Sequence, residues 1–171
     1  MMKFADSVRI IPDFPKPGVM FRDISTLLAD SVAFRECIDE LIGCCQELEF
    51  DRIGAFDARG FPFGAVVAYE LGKPLFLLRK AGKLPYKTIQ QSYALEYGKS
   101  SIEIQEDAVL AGEKIILLDD LLATGGTMQA GCKLVEKLGA EVALCLCVME
   151  LNSLGGRNLL PEHNVKSLLQ F

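Results

Sequence analysis

Apolar residues recur along the chain at two spacings. Over residues 31–48, Phe34, Cys37, Ile38, Leu41, Cys44, Cys45 and Leu48 share one stripe at helical spacing, with Asp30 or Ser31 as the N-cap. Short apolar runs at 53–56, 75–78, 115–118, 142–148 and 165–169 read as buried strands. Residues 62–71 read as a helix packed on the sheet. A second helical pattern, with Met128, Cys132, Leu134, Val135 and Leu138, follows residue 127. Strands that alternate with helices predict an α/β fold with a mostly parallel central sheet flanked by helices. Pro12, Pro15 and Pro17 predict extended or turn structure before about residue 28. A polar hairpin is expected over 82–104, where residues 100–104 alternate in polarity. No repeat, low-complexity tract or linker interrupts the 171 residues, so 1–171 reads as one domain.

Half the residues are hydrophobic, which fits a globular core. No apolar run approaches the roughly 20 residues that span a bilayer. Residues 1–6 lack the apolar stretch of a signal peptide, and a cytoplasmic protein is expected. The six cysteines include no C-x-x-C pair, and they read as reduced core thiols. The one histidine, His163, falls in a polar loop with no evident partner and reads as a surface residue. A net charge of −5 argues against general nucleic-acid binding. It leaves room for a local cluster of Arg59, Arg79, Lys80 and Lys83 that would concentrate a polyphosphate.

The chemistry concentrates in residues 115–127. Four apolar residues run into Asp119 and Asp120, a short turn follows, and Thr124-Gly125-Gly126-Thr127 leads into a helix. Ligands of open α/β sheets bind beyond the carboxyl ends of the strands. Free N–H groups at a helix start suit an anion, and glycines let backbone approach it. The loop would hold a phosphate while the carboxylates accept hydrogen bonds from ribose hydroxyls. A Walker-type reading needs G-x-x-x-x-G-K-[ST], and a dinucleotide reading needs G-x-G-x-x-G; the chain has neither. Asp57-Ala58-Arg59-Gly60 ends another strand, where Gly60 would permit a strained turn.

This stretch resembles the signature of the type I phosphoribosyltransferases, which bind 5-phosphoribosyl pyrophosphate. Further segments are similar to the adenine phosphoribosyltransferases of that family: Pro12-Asp13-Phe14-Pro15, Pro17-Gly18-Val19-Met20-Phe21-Arg22-Asp23-Ile24, Arg59-Gly60-Phe61, Arg79-Lys80-Ala81-Gly82-Lys83-Leu84-Pro85, Tyr93-Ala94-Leu95-Glu96-Tyr97-Gly98 and Ser167-Leu168-Leu169-Gln170-Phe171.

The resemblance implies the type I fold with a small hood, formed by about residues 1–28 plus the C-terminal segment. It implies a purine-salvage enzyme that converts adenine and phosphoribosyl pyrophosphate to AMP and pyrophosphate, through an oxocarbenium-like transition state with inversion at C1. Ala123, Thr124, Gly125, Gly126 and Thr127 would take the 5′-phosphate, and Asp119 and Asp120 the ribose hydroxyls or, through water, Mg²⁺. Asp57, Ala58, Arg59, Arg79, Lys80 and Lys83 would take pyrophosphate, with Arg59 also a candidate for the base pocket. Met20, Phe21, Arg22 and Leu151 would hold adenine. Glu96 and Arg59 would be the catalytic residues, Glu96 as the acid/base group on a lid that also carries Tyr97. Mg²⁺ is implied as cofactor, bound mainly through substrate and water with few or no direct protein ligands. A homodimer is implied, of a kind that can share a basic residue across its interface, with neither nucleic acid nor membrane as partner. A transferase for another base, and a regulatory protein that binds without turnover, are the competing classes.

Overall fold

The structure, a computed structural model, describes residues 3–94 and 99–171. Its contacts divide the chain into two compact units, Met1–Leu41 and Ile42–Phe171.

The first unit opens with a 3₁₀ turn, Lys3–Ser7, and an antiparallel hairpin of β1 (Arg9–Pro12) and β2 (Met20–Asp23). The loop between them is closed by the Asp13 carboxylate, which accepts the Gly18 N–H at 2.7 Å. The rings of Phe14 and Phe21 meet edge to face, 5.0 Å between centroids. A short helix, α1 (Ser25–Ala29), then forms where the prolines predicted only extended or turn structure. The last of those prolines is Pro17, and the Asp23 carboxylate starts the helix by accepting the Ser25 N–H at 2.9 Å. In α2 (Ser31–Cys45), Asp30 Oδ1 accepts the N–H groups of Val32 and Ala33 at 2.9 and 3.1 Å, so Asp30 is the cap. Cys37, Ile38, Leu41 and Cys45 are buried as the stripe predicts, and the helix stops three residues short of Leu48.

In the second unit the elements are β3 (Arg52–Phe56), α3 (Gly60–Glu70), β4 (Leu75–Lys80), β5 (Thr88–Ala94), β6 (Lys99–Gln105), β7 (Lys114–Leu122), α4 (Gly126–Lys137), β8 (Glu141–Glu150) and β9 (Val165–Gln170). Among the described residues they form one sheet of order β5-β6-β4-β3-β7-β8-β9. It is parallel from β4 through β9, with the β5–β6 hairpin attached antiparallel. The C-terminal segment, expected in the hood, is therefore a strand of this sheet. The two long helices cover opposite faces: Gly64 of α3 abuts Ala55, and Gly131 of α4 abuts the neighbouring Phe56. Covered on both sides, Ile115 to Leu118 are fully buried. β7 and β8 carry one irregularity. Ile115 pairs with Val142 but Ile116 pairs with Leu144, so Ala143 bulges out of the ladder. All six cysteines are free thiols, with Cys132 and Cys145 Sγ atoms 3.5 Å apart.

Asp30→Ala leaves two N–H groups of α2 without their acceptor. A lost N-cap costs about 1 kcal/mol. In a chain of this length, thermal unfolding followed by circular dichroism should show a Tm lower by about 2–4 °C.

Candidate active site

β3 pairs with β7 only as far as Ala55 and Leu118. β7 does not end at the carboxylates, as the sequence suggested. It runs on through Asp119 and Asp120 to Leu122, because β8 still supplies a partner on its other side, Asp119 beside Cys147 and Leu122 beside Glu150. From β3 the chain crosses to β4 on one side, and from β7 to β8 on the other. The point between β3 and β7 is thus the topological switch of the sheet, where ligands of such folds bind. Gly60, at the start of α3, packs against this projecting end. A Cβ there would stand 2.9 Å from the Leu118 carbonyl oxygen and 3.0 Å from Asp119 Oδ1. Its backbone is not left-handed, so close approach, not a strained turn, is what requires glycine.

A cleft of about 220 Å³ opens here, bringing together Asp57, Ala58, Arg59, Lys80, Asp119, Asp120 and Thr127, with Tyr93 on its wall. The Asp57–Ala58 peptide is cis. Arg59 Nε lies 2.9 Å from Asp120 Oδ2, an ion pair whose carboxylate is nearly buried. Asp119 Oδ1 accepts the Asp120 N–H at 2.9 Å. Burial, and then the adjacent Asp120 carboxylate, push the Asp119 acid well above its usual range. Burial raises Asp120 too, although Arg59 opposes it. Arg79 faces its neighbours: its guanidinium reaches Asp57 Oδ2 and the Lys83 carbonyl, each at 3.1 Å. Lys83 is exposed on the turn after β4.

That turn is held by a residue that sequence reasoning missed. Glu103 is buried on β6, and its Oε1 accepts the N–H groups of Lys83 and Leu84 at 2.9 and 2.8 Å. Thr88 and Gln90 donate to Oε2, each at 3.2 Å. Burial alone would raise this acid, but the backbone N–H groups of Leu84, Gly82 and Lys83 hold it below its ordinary value. In the alternation Ser101-Ile102-Glu103-Ile104 it reads as solvent-facing, so no local signal marks it.

After β7, residues 123–128 line a smaller cavity with Asp119. Gly125 caps α4 at φ +84° with no side-chain cap, so the N–H groups of the first turn are not taken by a capping side chain. The space beside Gly125 is filled by protein: a Cβ would lie 2.2 Å from the Gly156 carbonyl oxygen. Gly125→Val therefore distorts the loop whether or not a phosphate binds, and it cannot isolate the phosphate contact. Leu151 follows β8 and donates its N–H to the Leu122 carbonyl at 2.9 Å. Met20, Phe21 and Arg22 form most of β2 in the first unit, with Met20 exposed. Glu96 and Tyr97 lie outside the described residues. His163 is not partnerless: its Nε2 meets Glu136 Oε1 at 2.9 Å. No helix among the described residues is long and apolar enough to cross a membrane.

The phosphoribosyl transferase domain family matches residues 34–169. A protein of Desulforamulus reducens called adenine phosphoribosyltransferase is 49% identical, covering 99% of this chain and 98% of that one. The chain belongs to the adenine phosphoribosyltransferase family. The adenine phosphoribosyltransferase of Thermoanaerobacter pseudethanolicus has the same fold, with TM-score 0.97 at 45% identity and 100% of both chains covered. That of Saccharomyces cerevisiae, solved with an iminoaltritol bisphosphate and adenine, reaches TM-score 0.92 at 36% identity, covering 98% of this chain and 97% of that one. The type I fold expected from residues 115–127 is thus the fold of the chain.

The raised Asp119 acid sets the sign of a stability effect. The folded chain holds that proton more tightly than the unfolded one does. The stabilisation is full below the ordinary aspartate value of about 3.9 and is lost as pH rises through the raised value. Asp119→Asn removes the charge and keeps an oxygen for the Asp120 N–H. At pH 7 to 8 its Tm, without substrate, should exceed that of the parent by a few degrees, about 2–4 °C per kcal/mol relieved. The gain should vanish near pH 3–4.

Proposed function

We propose that this chain transfers the phosphoribosyl group of 5-phosphoribosyl 1-pyrophosphate to N9 of adenine, forming AMP and releasing pyrophosphate. The observation that carries the reading is the cleft itself, where the Asp57–Arg59 loop, Lys80, the paired aspartates and Thr127 of α4 share one space. Their chemistry suits the parts of that substrate in order. The N–H groups of the first turn of α4, with Thr124 and Thr127, take the 5′-phosphate. Asp119 and Asp120 take the ribose hydroxyls. The backbone at Asp57 and Ala58, with Arg59 and Lys80, takes pyrophosphate, and Lys83 and Arg79 add positive charge beside it. Catalysis then consists of holding C1 in line with the base and stabilising the leaving diphosphate as its charge develops. Glu96 is assigned to the proton of the base and Tyr97 to the cover of the site.

The donor set fits magnesium. Two adjacent carboxylates offer hard oxygen ligands; burial and then the Asp120 charge raise the Asp119 acid, and a cation would relieve the second of these. Among the described residues no three Asp, Glu, His or Cys side chains converge on one point. Asp119 and Asp120 would hold the ion through water, with substrate oxygens as its other ligands. Bound there, Mg²⁺ would neutralise charge on the leaving diphosphate.

For the base we assign Phe21 as stacking face, backbone at Met20 and Arg22 as edge readers, and Leu151 as apolar cover. Adenine offers a donor at C6 and an acceptor at N1; the 6-oxopurines offer the reverse. Fixed backbone groups cannot invert to suit both. We assign the protein to the cytoplasm and to a homodimer, with neither nucleic acid nor membrane as partner.

Pyrophosphate release with a panel of bases separates the classes. Adenine should be preferred over hypoxanthine and guanine by about 10⁴-fold, the scale set by unpaired groups in a buried site. Turnover of a 6-oxopurine or orotate at a comparable rate would give the other-base transferase, and binding without release a regulatory protein. Phe21→Ala should weaken all bases alike, while Met20→Leu keeps the preference. Asp120→Asn, which also removes the charge facing Arg59, should lower kcat/KM by about ten- to a hundredfold.

A further inference from the structure

β8 ends on a buried charge for which the transfer reaction has no use. Glu150 is 3% exposed. Arg157 donates to both of its oxygens, Nε to Oε1 at 3.1 Å and Nη2 to Oε2 at 2.6 Å. Ser167 Oγ, on β9, donates to Oε2 at 2.6 Å. The third guanidinium nitrogen, Nη1, donates to the Val165 carbonyl at 2.7 Å. Arg157 holds the Glu150 acid below its ordinary value against the opposing effect of burial, with Ser167 adding to it. Every polar arm of Arg157 is thus used, and the residue before it is fixed in place.

That residue is Gly156. A Cβ on it would stand 2.2 Å from the Ala123 carbonyl oxygen and 2.9 Å from the Gly125 nitrogen, and a Cβ on Gly125 would strike Gly156 in return. The two backbones lie against each other with no room for a side chain. On the far side of the same segment, Gln129 of α4 donates its amide to the Leu159 carbonyl at 2.9 Å. The segment at 155–159 is therefore the outer wall of the turn at 123–125, and Arg157 ties it to the sheet through the Glu150 carboxylate and the Val165 carbonyl.

We infer that Glu150, Arg157 and Ser167 are positioning residues for the 5′-phosphate loop: they fix the wall against which residues 123–125 fold, and so set the aim of the N–H groups of α4. The inference rests on the reading of residues 123–127 as the phosphate loop. None of the three residues lines the cleft or the cavity at 123–128. Their removal should act on ligands that carry a 5′-phosphate and spare ligands that do not.

Titration calorimetry of the full chain in magnesium buffer, with AMP, ribose 5-phosphate and pyrophosphate, tests it. Arg157→Lys keeps the charge but cannot form the forked pair. It should weaken AMP and ribose 5-phosphate by roughly tenfold, the scale of one charge-assisted hydrogen bond, with pyrophosphate within about twofold of the parent. Ser167→Ala, a milder change that tests the same cluster if Arg157→Lys does not fold, should show the same selectivity at about threefold. Equal weakening of all three ligands, or no weakening in a folded variant, overturns the inference. Thr127→Ala separates it from the reading beneath. If that variant binds AMP as the parent does, the phosphate loop is misassigned and the positioning role falls with it. If it weakens AMP while Arg157→Lys and Ser167→Ala do not, only the positioning role falls.

Discussion

β7 is longer than the neighbour it shares with the rest of the sheet, and the site depends on that difference. β3 leaves it at Leu118, while β8 carries it on to Leu122. Two carboxylates on a strand would normally face covered ground in a parallel sheet. Here they lie past Ala55, the last residue of β3 that pairs with β7, where Gly60 lets α3 close against them and Arg59, at the helix cap, reaches Asp120. The next turn of chain brings Gly125 and the start of α4 to the same edge. A β3 extended to match β7 would leave no cleft.

The electrostatics of that edge are uncomfortable without a ligand. Asp119 and Asp120 are adjacent and largely withdrawn from water, and Arg59 is paired with the second of them. Such an arrangement is a common cost of function: the charges are spaced for a ligand that carries cations and hydroxyl donors of its own. The positive side chains nearby are arranged differently. Arg79 is engaged by Asp57, whereas Lys80 lies on the cleft and Lys83 is exposed. The overall charge of the chain says nothing of this division.

Much of the architecture was legible because it obeys local rules. The apolar runs at 53–56, 75–78 and 142–148 are strands, Asp30 caps α2, and the Thr124 to Thr127 stretch leads into α4. What was hidden is what only tertiary contact creates. Glu103 sits in a strand alternation that marks it for solvent, yet it is buried because the 83–84 turn folds onto it. Glu150, Arg157 and Ser167 share no spacing that would announce a cluster. His163 meets Glu136 from 27 residues away. The mutual fit of Gly125 and Gly156 belongs to no motif, since each glycine is required by the backbone of the other. In the first unit, α1 escaped because the prolines before it dominated the pattern.

The bulge at Ala143 bears on how this protein could tolerate changes of length. The ladder already skips this residue, so its loss would join Val142 to Leu144 while each keeps its partner, Ile115 and Ile116. A residue lost farther along, between Leu144 and Glu150, would draw Ala143 into the ladder instead. Side chains alternate across a strand, so every residue between the bulge and the gap would then exchange faces. The buried thiols of Cys145 and Cys147 stand in that stretch. The bulge is thus one residue of slack in a strand that otherwise has none. In a lineage of such chains, a shortened β8 should have lost its bulge, and other insertions and deletions should collect in the loops between elements.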